Sequence, residues 1–305
     1  MTNSCVIKVS PATIKKMAAH YQGSFKAKTP PYAEFSAKIG GLTITAYNSG
    51  KVMFQGAGAE AEASKWGELA SGTPKKNSTS TSLPKDFANW SVVGSDEVGN
   101  GSYFGPVVVC ATYVEKKQMP LLKELGVRDS KELTDKQIRL IANDIKLAVP
   151  YHELIVTPEK YNQIQPDYNV NRMKVALHNQ AIYLLLQEIA PIKPEGILID
   201  QFTPENNYRK HLAREKNQVK EKIYFTTKGE QYHLSVAAAS IICRASFLDA
   251  LDQASKELGM VIPSGAGPKS DVAGAKLLKR GGMTLLGKYA KLHFANTQKA
   301  QRKLN

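Results

Sequence analysis

Two adjacent carboxylates, Asp96 and Glu97, close a β-rich run, Trp90-Ser-Val-Val-Gly-Ser95. They open into the glycine-rich Gly99-Asn-Gly-Ser-Tyr-Phe-Gly-Pro106 and the apolar Val107-Val-Val-Cys-Ala111. Carboxylate oxygens bind hard divalent cations, and a cation set between them and a phosphate turns repulsion into attraction. In a chain of formal net charge +14 this points to metal-dependent chemistry on a polyanion. The pair also fits two solvated turn residues. Neighbouring side chains of an extended strand point to opposite faces, so one ion uses both only where the chain bends or twists. Gly94 and Gly99 bracket the pair and would permit that bend.

Two further acids are candidates. Asp200 ends the apolar strand Gly196-Ile-Leu-Ile-Asp200, the place where open α/β sheets present ligand-binding groups. It equally suits a cap for the turn before Thr203-Pro204. Glu230 follows Ile223-Tyr-Phe-Thr-Thr-Lys-Gly229 and precedes a helix, where the dipole favours an acid. On these grounds alone Glu230 ranks barely above Asp249.

The elements that must position these groups follow from periodicity. Ser91–Asp96, Val107–Val114, His152–Thr157, Gly196–Asp200 and Ile223–Thr227 read as strands. Thr134–Ala148, Val170–Ile189 and Leu234–Leu258 read as helices, so an α/β sheet with helical cover is expected. Small residues in Ser235-Val-Ala-Ala-Ala-Ser-Ile-Ile-Cys-Arg-Ala-Ser-Phe247 would let that helix pack close to the sheet. Upstream, Ser10 as N-cap and Pro11 at the first helical position start a helix to Tyr21. Tyr32–Ile39, Leu42–Tyr47 and Lys51–Gln55 alternate around Gly40-Gly41 and Asn48-Ser-Gly50 as an antiparallel meander, and Ala59–Leu69 reads as a closing helix. The polar stretch from Ala70 to Pro84 reads as a flexible linker.

At 305 residues the chain has room for two domains with a core each. A pI near 9.5 makes nucleic acid the leading partner class, with solubility as the other use of excess lysine. The lysines of the first module, Lys15, Lys16, Lys26, Lys28, Lys38, Lys51 and Lys65, fit either a nucleic-acid grip or a solvated face. No apolar stretch is expected to reach the roughly 20 residues of a membrane span, and the N-terminus lacks a secretory layout, so a cytoplasmic protein is expected. Cys5, Cys110 and Cys243 lie far apart in apolar surroundings, as buried free thiols rather than zinc ligands or a disulfide framework.

Gly94-Ser-Asp-Glu-Val-Gly-Asn-Gly-Ser-Tyr-Phe-Gly-Pro106, Val127-Arg-Asp-Ser-Lys-Glu-Leu133, Ile197-Leu-Ile-Asp200, Lys228-Gly-Glu230 and Ala237-Ala-Ala-Ser-Ile-Ile-Cys-Arg244 occur in the order seen in type 2 ribonucleases H. With Ala290-Lys-Leu-His-Phe-Ala-Asn-Thr297 and the extra N-terminal module, the chain resembles ribonuclease HIII along essentially its whole length. The resemblance implies an RNase H-like mixed sheet with helices over 87–305. It also implies a small α+β, TATA-box-binding-protein-like substrate-binding domain over 1–69, joined by a linker over 70–86. It implies four carboxylates, Asp96, Glu97, Asp200 and Glu230, holding two Mg²⁺ or Mn²⁺ ions and hydrolysing the RNA strand of RNA/DNA hybrids to 5′-phosphate and 3′-hydroxyl ends. The family's fourth acid follows a Lys-Gly or Lys-Ala step, which selects Glu230 and leaves Asp249 as a surface helix residue.

Gly99, Asn100 and Gly101 are implied to lie against the RNA minor groove, and Ser130 and Lys131 of the Asp-Ser-Lys motif to contact phosphate. Asparagine at 100 matches the HIII pattern, where the related HII branch usually has arginine, and argues against a strong preference for single ribonucleotides. Lys288, Lys291 and His293 are further candidates for backbone contact, with a packed structural role the alternative for His293. The family setting implies replication, repair or R-loop clearance, a monomer, and no organic cofactor or membrane partner. Two rivals remain: an HII-like enzyme cutting at single embedded ribonucleotides, and a non-catalytic hybrid-binding protein.

Overall fold

Apolar and polar residues alternating around Gly40-Gly41 and Asn48-Ser-Gly50 fold as the expected antiparallel meander in a computed structural model of the chain, which describes residues 4–30, 32–67 and 83–304. Two units are resolved, Met1–Asn77 and Ser78–Asn305. The first contains β1 (Ser4–Lys8), α1 (Pro11–Tyr21), β2 (Ala33–Ile39), β3 (Leu42–Tyr47), β4 (Lys51–Gln55) and α2 (Ala59–Ala63). Its sheet runs β1-β4-β3-β2, antiparallel throughout. β1 was not expected from the sequence; it pairs along β4 from Ser4↔Gln55 to Lys8↔Lys51. Ser10 caps α1, its Oγ accepting from the Thr13 amide at 3.1 Å. Ile14, Met17 and Tyr21 then bury one face of α1 against Ile44 and Phe54. The closing helix is shorter than expected, ending at Ala63, and its expected end at Leu69 and most of the expected linker lie outside the described residues. Leu83 already packs on the cluster around Phe87.

The second unit holds β5 (Val92–Val98), β6 (Val107–Val114), α3 (Met119–Glu124), α4 (Asp135–Ala148), β7 (Tyr151–Val156), α5 (Pro158–Ile164), α6 (Val170–Glu188), β8 (Gly196–Asp200), α7 (Glu205–Leu212), β9 (Ile223–Thr226), α8 (Leu234–Leu258), α9 (Pro268–Tyr289) and α10 (Ala295–Arg302). Strand order is β7-β6-β5-β8-β9, antiparallel from β5 to β7 and parallel from β5 to β9. This is the expected mixed sheet. One face, including Val108 and Cys110, packs on α8 and α4; the other, including Val109, Ile197 and Ile199, packs on α6.

α8 lies closest to the sheet because Gly94 has no side chain: a Cβ there would fall 2.4 Å from both Ser235 Oγ and the Val236 amide nitrogen. By length and composition α8 is apolar enough to cross a membrane, contrary to the expectation that no stretch would be. Its burial against β5, β6 and α4 makes it the core helix of this unit. α3, α5, α7, α9 and α10 were not foreseen. Most are short, and α9 is interrupted at Gly281-Gly282, which weakens helical periodicity.

Candidate active site

β5 and β8 run parallel with Ser95 opposite Ile199, so Asp96 and Asp200 fall level one residue further on, at the carboxyl ends of both strands. The bend that Gly94 and Gly99 would permit, bringing Asp96 and Glu97 to one face, is absent. β5 pairs with β6 in unbroken register through Asp96↔Cys110 and Glu97↔Val109, and strand alternation sends the two side chains to opposite faces. Asp96 turns toward α8 and Glu97 toward α6. Gly94 serves the close approach of α8 instead of a bend. Gly99, with φ of +94°, turns the chain out of β5, where a Cβ would lie 2.0 Å from the Pro106 carbonyl oxygen.

On the α8 face, the Ser240 hydroxyl favours the charged form of the Asp96 carboxyl, and Ser130 Oγ lies 3.0 Å from Ser240 Oγ. Ser130 is thus buried in the support of Asp96. Burial, then the charges of Glu97 and Asp200, push the Asp96 carboxyl up to about 8. Asp200 accepts from the Gly229 amide at 2.8 Å, yet burial and the charges of Glu230 and Glu97 leave its carboxyl raised. Glu230, in the turn Gly229–Gln231 before α8, receives the exposed Lys131 ammonium at 3.2 Å, which raises the Lys131 pKa.

On the α6 face, Glu97 Oε1 receives Lys174 Nζ at 2.6 Å and Glu97 Oε2 faces His178 Nε2 at 2.9 Å. Burial disfavours this carboxylate, but His178 and Lys174 outweigh it and hold its pKa below the ordinary value.

The loop leaving β5 is braced from the far end of the chain. Ser102 Oγ accepts from the Gly265 amide at 2.9 Å, the Tyr103 carbonyl accepts from the Lys291 amide at 2.8 Å, and Lys291 Nζ donates to the Gly105 carbonyl at 2.5 Å. Asn100 is half-buried and Gly101 exposed. Lys291 therefore does not reach a nucleic-acid backbone as expected. It is fully buried, and desolvation lowers its pKa to about 7. Lys288 is exposed, and His293 stacks on Tyr161 with centroids 5.3 Å apart. Asp249 pairs with Arg139 at 2.8 Å on the outer side of α8.

Among the described residues no three His, Cys, Asp or Glu side chains converge closely enough to hold an ion as they stand. The donor set nonetheless fits a hard divalent cation: all four donors are carboxylates, and the burial and neighbouring negative charge that raise Asp96 and Asp200 are what a cation would offset. Sequence reasoning missed Lys174, His178, Ser240 and the bracing role of Lys291. The first two were detectable, since Lys174, His178, Ala181, Ile182 and Leu185 form one buried helical stripe in which two basic residues stand out.

A family model described as Ribonuclease HII matches residues 93–297, and one described as a domain of unknown function (DUF3378) matches residues 4–79. Ribonuclease HIII of Enterococcus faecalis is 65% identical over 306 residues, and that of Bacillus cereus 50% identical over 311, each alignment covering all of both chains. Among solved structures, Bst-RNase HIII in complex with Mn²⁺ matches with a TM-score of 0.71 at 39% identity, covering 99% of each chain. Aquifex aeolicus RNase H3, 24% identical with a TM-score of 0.55 over 94% of this chain and 98% of its own, shares the fold. Full-length identity at this level, on a mixed sheet that presents acids at its strand ends, makes this chain a member of the ribonuclease HIII family and an endonuclease of the ribonuclease H type.

Proposed function

We propose that the chain hydrolyses the RNA strand of RNA/DNA hybrids to 5′-phosphate and 3′-hydroxyl ends, using two divalent ions, Mg²⁺ or Mn²⁺, held by Asp96, Glu97, Asp200 and Glu230. The observation that carries this reading is the level placement of Asp96 and Asp200 at parallel strand ends, with Glu97 and Glu230 near enough for their charges to be felt. The relative solved with Mn²⁺ supports the choice of ion. When bound, such ions would polarise the scissile phosphate and lower the pKa of the attacking water.

The chain's own residues do the rest. Glu97 is held from α6 by Lys174 and His178, and Ser240 favours the charged form of Asp96. The exposed Lys131 ammonium can leave Glu230 for a backbone phosphate, while Ser130 supports Asp96 through Ser240. The exposed peptide at Gly101, with Gly99 and Asn100, meets 2′-hydroxyls in the minor groove. Residues 1–69 grip the hybrid, joined through 70–86 to a catalytic domain over 87–305. The enzyme acts as a cytoplasmic monomer in replication, repair or R-loop clearance.

The test is cleavage of an end-labelled RNA/DNA hybrid with Mg²⁺, with Mn²⁺ and with EDTA, for the intact chain and Asp96→Asn. Metal-dependent cutting lost in the variant is expected; tight binding without cutting would mean a non-catalytic hybrid binder. A duplex with one embedded ribonucleotide, cut faster than a continuous hybrid, would mean an HII-like enzyme. Deleting residues 1–84 is expected to weaken hybrid binding far more than bound-state cleavage.

A further inference from the structure

We propose that Lys174 and His178 are positioning residues for Glu97, locking its carboxylate in one orientation so that its free lone pairs face the strand ends where Asp96 and Asp200 lie. The inference rests on the reading of Glu97 as a site acid. Four residues apart on α6, the two side chains share one helix face, and each takes a different oxygen of Glu97. Both are buried, Lys174 with 6% of its surface exposed and His178 with none. An ammonium is desolvated at such cost that it persists there only when paired.

The histidine is itself oriented. The Ser95 hydroxyl has one hydrogen and donates it to the Cys110 carbonyl at 2.9 Å, so toward His178 Nδ1, 2.7 Å away, its oxygen can only accept. Nδ1 therefore donates to Ser95, and because a carboxylate oxygen only accepts, Nε2 must donate to Glu97 as well; with a proton on each ring nitrogen the ring is fixed and Nε2 is aimed at Glu97. Phe202 completes the cluster from the loop just after Asp200. Its ring stacks on His178 with centroids 5.0 Å apart and lies 3.9 Å from Lys174 Nζ. The support of Glu97 is thereby tied to the chain that carries Asp200. A pair serving stability alone would be replaceable by apolar residues of similar size.

The test uses the full chain with Lys174→Met, Lys174→Arg, His178→Leu, His178→Gln and Glu97→Gln. Each is followed by thermal melting, by calorimetric titration with Mn²⁺ in the absence of nucleic acid, and by steady-state cleavage of a hybrid. Lys174→Met and His178→Leu are expected to lower both kcat and Mn²⁺ affinity by about 10–100-fold, the usual effect of removing a residue that orients a ligand. KM for the hybrid should stay within about twofold, because no substrate contact is lost. Lys174→Arg keeps the charge, and His178→Gln places an amide N–H where Nε2 was; both are expected to recover most of the loss.

Unchanged kcat and Mn²⁺ affinity in Lys174→Met and His178→Leu, with cleavage abolished in Glu97→Gln, would overturn the proposal and leave the role of Glu97 standing. Normal cleavage by Glu97→Gln would overturn both. If Lys174→Met does not fold, Lys174→Gln replaces it under the same criteria.

Discussion

The two faces of β5 solve opposite problems with neighbouring residues. On the α8 face, Gly94, Ser235, Ala237, Ala238, Ala239 and Ser240 bring a helix backbone against the strand, leaving room for hydroxyls but none for a long basic side chain. Asp96 sits there without a cationic partner among the described residues, and burial with the neighbouring acids pushes its carboxyl up. On the α6 face the helix stands back by the length of Lys174 and His178, and Glu97 is held ionised despite its burial. Burial raises both carboxyls, and the basic partners on the α6 face reverse that push for Glu97 while the neighbouring acids add to it for Asp96. The tight face leaves its acid in need of a cation, and the roomy face supplies one from the protein.

This contrast breaks most readily at Glu97. In EDTA at neutral pH, Glu97→Gln strands two buried basic groups and should lower unfolding free energy by about 3–5 kcal/mol in urea titrations. Because the folded pKa of Glu97 is depressed, its contribution is present above its ordinary pKa and is lost as pH falls through the folded value. The gap between variant and parent should therefore close in acid. An equally stable Glu97→Gln at pH 7 would mean that the α6 face does not depend on the charge.

Asp96→Asn should act with the opposite sign. A folded pKa raised to about 8 means that Asp96 contributes most below its unfolded value and that this is lost as pH rises through about 8. In EDTA the variant should gain a few kcal/mol over the parent at pH 9 and nothing at pH 3, at 1.36 kcal/mol per pKa unit. A loss of stability at pH 9 would contradict the picture. Gly94→Ala tests the tight face directly: α8 must move, at a cost of about 1–3 kcal/mol for overpacking, readable as a lower melting temperature. The smallest effect belongs to Asp249→Asn, outside both faces. Stability should stay within about 0.5 kcal/mol and cleavage should be unchanged, whereas a large activity loss would reopen Asp249 as a site acid.

Much of this was readable from residues. The strands β6 and β8 and the helix α8 were expected with the bounds they have, because their apolar runs are continuous and their ends are marked by glycine, proline or aspartate. The opposed faces of Asp96 and Glu97 follow from strand alternation alone, and the room at Gly94, which would also have permitted a bend, admits α8. No element was expected over residues 259–305, because α9 is broken at Gly281-Gly282 and α10 is polar. The burial of Lys291 was hidden because its acceptor, Gly105, lies 186 residues away.

That separation bears on the order in which the molecule is made. The loop leaving β5 takes its shape from Lys291 and from Thr297, which bonds the Tyr103 hydroxyl across 194 residues of chain. Contacts of such span form late, since loop closure must be completed before they contribute. During synthesis the acids of β5 and β8 emerge long before the segment that props the glycine loop beside them. A nascent chain stopped short of residue 291 thus carries Asp96, Glu97, Asp200 and Glu230 beside a loop that still lacks both of these props.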